Sequence, residues 1–386
     1  MYKLKPEPQM RPRRRRGAMI SWPWLLWLLW LPHAVAAGHI SIAENTLDPQ
    51  TQYASGEQSN RALAAQTALT RCRQAAKPSA AGICELVMMD SQPITKASTM
   101  RAGDEPIPLY LWRFDSPSAT VFVAGSMHVL KAALHPLPQQ LMDAYRYSDK
   151  LVFEVDLDRY PPAQIQAQTL QRAKLENQTL RQTMPEQTYR QLVAAGITYG
   201  VPVGRMQTYK PMLVAQQLTM QAATALGYEV EYGVERYLNS LGRHDSDDVL
   251  ELESLDLQLK LLFNQPLDTQ IAVLQQSLDD LETLEQQISE MTQAFVRGDD
   301  QAMLASITAQ VGDHPLAKAF NDQLLGQRNR GMAKTIADYL ETPHRYLVVV
   351  GAGHLVGPQS VIAHLQRAGI TGQRIYTDQS IHPDQH

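Results

Sequence analysis

Cysteine is nearly absent from this chain of 386 residues: only Cys72 and Cys84 occur. With no C-x-x-C spacing and no second pair, a disulfide-dense scaffold and a thiolate metal cluster are both excluded. The pair reads instead as one local disulfide, closing a turn that holds Pro78, Ala81 and Gly82 between two helical segments. No H-E-x-x-H helix is present, which excludes an ordinary zinc protease. No G-x-S-x-G elbow is present either. Gly125-Ser126-Met127-His128 places a serine two residues before a histidine, but without the strand-turn-helix elbow nothing assures a serine-to-base hydrogen bond. Beyond the first 31 residues there is no run of 18 apolar residues, so no stable membrane span is expected after processing.

What is present begins at the N-terminus. Arg13 to Arg16 form a cationic block, Ile20 to Leu31 an apolar stretch with Trp22, Trp24, Trp27 and Trp30, and Ala34-Val35-Ala36 a small-residue site. That order predicts a secretory signal peptide over 1–36 and a periplasmic or secreted protein; Gly17-Ala18 after the arginines favours general secretion over twin-arginine export. Cleavage after Ala36 removes seven Lys and Arg and one Glu, leaving 28 basic and 38 acidic residues and a formal charge of −10. A chain so acidic is not a nucleic-acid partner.

Two apolar runs end in Gly-x-x-His. Val121-Phe122-Val123-Ala124 leads to Gly125 and His128, and Tyr346-Leu347-Val348-Val349-Val350 leads to Gly351, Gly353 and His354. Such runs read as strands buried on both faces, with glycine turning the backbone at their ends. If both lie parallel in one sheet, both imidazoles emerge at its carboxyl edge, where open α/β sheets bind ligands. Two neutral imidazoles at one point begin a metal site. Glu154, set among Val152, Phe153 and Val155, adds a carboxylate whose burial demands a metal or a cationic partner, and Asp156 points to the same side of its strand.

The rest of the chain divides accordingly. Residues 37 to about 60 read as a poorly ordered leader, and the leader with a small helical preface takes up 37–105. An α/β domain spans 106–378, with a hairpin at 108–124, a helix after Pro138, a strand at Lys150 to Val155 closing a parallel β-α-β unit, and a helical insertion over about 161–340. Within the insertion one long helix is expected from about Leu267 to Arg297. A short helix at Ala333 to Leu340, the second motif strand, a helix at Val361 to Ala368 and a strand near Gln373 to Tyr376 follow, and 379–386 reads as a loose tail.

The order of signatures resembles the TraB/GumN family, also called TraB/PrgY/GumN, whose animal relatives include the Tiki proteases. The residues that carry the resemblance are Gly125-Ser126-Met127-His128, Pro136-Leu137-Pro138, Ser148 to Asp156, Lys210-Pro211, Gly233-Val234-Glu235, Leu252-Glu253-Ser254 with Gln258, Gly298-Asp299, Arg328-Asn329 and Gly351 to Gly357. The resemblance implies a fold like that of erythromycin esterase: a central mixed or parallel sheet with flanking helices and a large helical insertion. It further implies a metal-dependent peptidase in which His128, His354 and Glu154 hold a divalent ion (Mn, Co, Fe or Zn) that activates water. Glu253 or Glu235 would act as general base, and Arg328 would stabilise the oxyanion or bind a substrate carboxylate, unless it is a structural ion pair. The substrate would be a peptide or protein by one analogy and a small ester by the other. A second expectation is a non-catalytic exported protein that binds metal, haem or a partner on the same fold.

Overall fold

The computed structural model describes residues 40–45, 48–58, 61–75, 84–89, 92–93, 106–135, 137–245, 248–309 and 315–381. The expected signal segment over 1–36 and the turn with Pro78, Ala81 and Gly82 lie outside the described residues. Where a leader was expected, Ser41–Asn45 (β1) and Asp48–Ala54 (β2) pair antiparallel, Ile42 opposite Ala54 and Glu44 opposite Gln52. The reading of a leader is thereby corrected. Ser41 and Ala43 are buried between half-exposed Ile42 and Glu44, an alternation too short and too polar to stand out from one sequence.

Arg61–Ala75 forms the expected helix, α1, with Ala68, Leu69 and Cys72 buried. The second helical segment is instead a strand: Cys84–Met89 (β3) pairs with β1 and with Gln92–Pro93 (β4), giving a small sheet in the order β2-β1-β3-β4. Glu, Leu and Met are good helix formers, and here sheet pairing overrides that preference. The Cys72–Cys84 disulfide joins α1 to β3.

The main sheet is built from the predicted apolar runs. Pro108–Asp115 (β5) and Thr120–Ser126 (β6) form the expected hairpin, with Leu111 opposite Ala124. Every residue of β6 is buried. Gln139–Tyr147 (α2) follows Pro138 and buries Leu141, Met142, Ala144 and Tyr145, and Lys150–Phe153 forms β7. The helical segment comprises Pro162–Arg172 (α3), Glu186–Tyr199 (α4), Pro211–Ala225 (α5) and Val234–Asp245 (α6). A four-residue strand, Asp248–Glu251 (β8), interrupts it; so short a run gave no period to read.

Leu255–Phe263 (α7), Leu267–Asp280 (α8), Leu284–Arg297 (α9), Asp300–Ala309 (α10) and Pro315–Tyr339 (α11) complete the helical part. The long helix expected from Leu267 to Arg297 is therefore two helices. The short helix expected at Ala333 is the last part of α11. Arg345–Gly351 (β9), Val361–Arg367 (α12) and Gln373–Tyr376 (β10) return the chain to the sheet, and Gly369, at φ +81°, follows α12.

Six strands lie in the order β10-β5-β6-β9-β7-β8. Strands β6, β9, β7 and β8 run parallel, β5 runs antiparallel to β6, and β10, antiparallel to β5, again points the same way as the four. The α/β class with a mixed sheet is as expected, but β6 and β7 are not adjacent. The later strand β9 lies between them, a pairing across more than 190 residues that the local β-α-β pattern does not encode. The tail also differs from expectation, since Ile381 is buried and its carbonyl accepts a hydrogen bond from Arg113 Nη1 at 2.6 Å. Among the described residues, no helix is long and apolar enough to cross a membrane.

Candidate active site

Each of the four parallel strands delivers one chemical group to the carboxyl edge of the sheet. Ser126 lies opposite Gly351 in register, so the two Gly-x-x-His turns leave neighbouring strands side by side, one ending at His128 and the other at His354. Glu154 follows β7 directly. The amide of Glu253, just after β8, donates to the carbonyl of Glu154 at 2.8 Å, continuing the pairing that sets Phe153 opposite Glu251. Helix α11 brings Arg328 and Asn329, and the first turn of α6 brings Glu235.

The glycines permit this approach. A Cβ on Gly125 would lie 2.7 Å from Tyr110 Cβ and 3.2 Å from Ala352 Cα, and one on Gly233 would lie 2.2 Å from the carbonyl oxygen of His128. Close backbone contact is what both positions require.

His128 Nδ1 lies 2.7 Å from Glu235 Oε1, and the Ser126 hydroxyl donates to the same oxygen. Burial works to raise the pKa of Glu235, but His128 and the hydrogen bonds from His128 and Ser126 outweigh it and hold the carboxyl below its ordinary range. An ionised Glu235 accepts from Nδ1–H, which leaves Nε2 as the basic nitrogen of His128. Ser126 thus serves the carboxylate and is not poised on a histidine.

His354 is fully buried, with Nδ1 on Asn329 Oδ1. The Asn329 amide is oriented by its other contact, Nδ2 donating to the Gln359 carbonyl at 2.7 Å, so the Asn329 oxygen accepts and Nδ1 carries the proton. Burial, then the charges of Arg328 and His128, push His354 well below the ordinary histidine value. Its ring is neutral, with the Nε2 lone pair 3.5 Å from Glu154 Oε1.

Glu154, its side chain 2% exposed, also accepts from the Gly351 amide at 2.7 Å and from Arg328 Nη2 at 2.5 Å. Arg328 bridges to both oxygens of Glu253 through Nε at 2.9 Å. Burial raises Glu154 despite the opposing pull of Arg328 and His128. Burial works against the charge on Arg328, but the two carboxylates outweigh it and lift Arg328 above its already high value. Arg328 is therefore the internal cation of a buried triad, and Glu253 is engaged with it.

An acceptor on Nδ1 is what orients a metal-binding histidine ring, and His128 has Glu235 and His354 has Asn329 in that place. The facing pair of His354 Nε2 and Glu154 Oε1 also suits a shared proton or cation. Among the described residues, however, no group of three or more His, Cys, Asp and Glu is gathered to hold a metal ion. As folded, then, the site supplies part of a ligand set and does not close it.

All the anticipated site residues, His128, His354, Glu154, Glu253, Glu235 and Arg328, meet at this edge of the sheet. Asp156 does not join them: it is buried near Asn239 Nδ2, at 3.4 Å. Sequence reasoning missed the role of Asn329 as the anchor of His354, although its place after Arg328 in one of the quoted signatures was visible. It also missed Met127, Met291 and Met303, which with Ser126, His128 and Gly353 line a cavity of about 10 Å³, close to the volume of one water.

The chain matches the model of the TraB/PrgY/gumN family over residues 110–374. It is 24% identical over 235 residues to "Uncharacterized protein YbaP" of Escherichia coli (strain K12), a match covering 60% of this chain and 83% of that relative, and it stands at the same identity and coverage to YbaP of Shigella flexneri. No solved structure matches.

Proposed function

The chain belongs to the TraB/PrgY/gumN family, and on that premise we propose that it is a hydrolase that adds water to a peptide or ester carbonyl at the carboxyl edge of its sheet. The observation that carries this reading is the buried His128–Glu235 pair beside a water-sized cavity. Glu235 fixes the ring through Nδ1, so His128 Nε2 faces the water and takes its proton as that water attacks the carbonyl carbon. The guanidinium of Arg328, taken up by Glu154 and Glu253, holds those two carboxylates in place beside the histidines. His128 then returns the proton to the leaving amine or alcohol.

A divalent ion, the expectation carried by the family resemblance, would be held by His128, His354 and Glu154 and would lower the pKa of the attacking water. Holding it requires Glu154 to share its charge between the ion and Arg328. The signal segment over 1–36 would export the protein, and the Cys72–Cys84 disulfide is in keeping with an oxidising compartment.

The test is hydrolysis of a peptide library and of p-nitrophenyl esters by the parent and by Glu235→Gln, before and after chelation and with Mn, Co, Fe or Zn restored. Glu235→Gln should lower kcat by about a hundredfold or more, the scale of positioned acid–base catalysis. Equal rates for parent and Glu235→Gln would remove the proposal. The narrowness of the cavity favours one second reading, an exported protein that binds a metal ion or a partner without turnover; a haem ring is far too large for that space.

A further inference from the structure

A second cavity, of about 570 Å³, lies between β5, α2 and α9 and is separate from the one at His128. Its volume falls within the range of small-molecule sites, roughly 300–1,000 Å³. Leu111, Leu130, Leu134, Leu137, Phe295 and Val296 contribute to its walls, and Phe295 is held flat on Tyr110 with ring centroids 5.6 Å apart. Lys131 is the single charged side chain among the described residues that line it. The Lys131 ammonium sits 4.7 Å from the centroid of the Tyr228 ring and pairs with no described carboxylate. Burial raises the Tyr228 phenol, with the Thr292 hydrogen bond opposing, so Tyr228 brings no negative charge to compete for Lys131.

An apolar chamber with one uncompensated cation selects a molecule with an apolar body and one negative charge. We infer that this cavity binds an aliphatic monocarboxylate, its chain among the leucines and Phe295 and its carboxylate on Lys131. A polyanion would leave charges unpaired and an alkylammonium would meet a like charge, so neither fits. The wall is shared with the histidine site. Gly125 lines this cavity and Ser126 the other, while Val234 lines this one and Glu235 holds His128; the amide of Val234 donates to the carbonyl of Met127 at 3.1 Å. An occupant therefore touches the backbone that carries Ser126 and Glu235. The inference does not depend on the hydrolase reading.

The experiment is displacement of 1-anilinonaphthalene-8-sulfonate from the purified protein by dodecanoate, dodecanol and dodecyltrimethylammonium. Dodecanoate should displace the dye saturably and the alkylammonium at least about tenfold less well. Lys131→Met should weaken dodecanoate about tenfold, the size of one charge-assisted contact, and leave dodecanol unchanged. Leu134→Trp should abolish displacement by filling the chamber. Absence of saturable displacement, or equal affinity for carboxylate and ammonium, would overturn the inference. So would dodecanoate binding that survives Lys131→Met unchanged, a substitution at a half-exposed position that leaves the core intact.

Discussion

Replacing Arg328 by Met removes the cation and keeps most of the volume, so it isolates the electrostatic role of the triad. In the parent, Arg328 Nη2 lies 2.5 Å from Glu154 and 2.8 Å from Glu253, with side-chain exposures of 9%, 2% and 8% respectively. Breaking a buried pair by removing one partner typically costs about 3–5 kcal/mol because a charge is left uncompensated. Protonation caps the loss. Holding a carboxyl of ordinary pKa protonated costs about 3 kcal/mol at pH 7 and under about 1 kcal/mol at pH 5. Without Arg328 the folded-state pKa of Glu154, already raised by burial, rises further above its unfolded value. A group of that kind is fully stabilising below its unfolded pKa and loses the contribution as pH rises through the folded one. The deficit of Arg328→Met relative to the parent should therefore be about 3 kcal/mol at pH 7 and should shrink to about 1 kcal/mol at pH 5. Urea unfolding followed by circular dichroism at both pH values measures it. A deficit within about 0.5 kcal/mol at pH 7, or one that does not change with pH, would mean that the triad behaves as an exposed ion pair does and that no buried charge is left uncompensated.

Other outcomes follow from the same geometry. His135 is fully buried on the carbonyl of Tyr232 at 2.8 Å, and burial lowers its pKa to about 4, only partly opposed by that hydrogen bond. Its folded pKa lies below its unfolded one, so its contribution is intact above about pH 6.5 and is lost as pH falls toward 4, by about 3 kcal/mol in all; His135→Gln should flatten that part of the stability profile. Gly233→Ala places a Cβ 2.2 Å from the His128 carbonyl oxygen and should cost about 1–3 kcal/mol or more in thermal melts, with hydrolysis reduced because the same shift moves Glu235. Asn329→Ala removes the acceptor from His354 Nδ1 and should reduce hydrolysis with little change in overall fold by circular dichroism.

The strongest sequence signals were those in which one residue pattern has one structural solution. Buried runs such as Val121 to Ala124 and Tyr346 to Val350 could be little else than central strands, and their Gly-x-x-His ends fixed where the imidazoles would emerge. Glu154 was recognisable because a carboxylate inside an apolar run needs a counter-charge, though whether a metal or an arginine meets that need is decided in three dimensions. Arg328 lies 174 residues away in sequence, and no local period points to it. The small sheet was missed for the opposite reason: β1, β2 and β3 are polar or helix-favouring and become strands only by pairing with each other. The break between α8 and α9 was hidden because Leu281 to Thr283 contain neither Gly nor Pro.

In the proposed function His128, held by Glu235, is the base of a hydrolytic centre that lies beside His354. Its most direct test is the initial rate of peptide-library cleavage by the parent against His128→Gln and His354→Gln, with folding matched by circular dichroism. Turnover by the parent, a loss of about a hundredfold or more in His128→Gln, and a loss of metal-restored turnover in His354→Gln are the expected results. Turnover retained in His128→Gln, or a parent that binds peptides without cleaving any, with or without added metal, would contradict this reading.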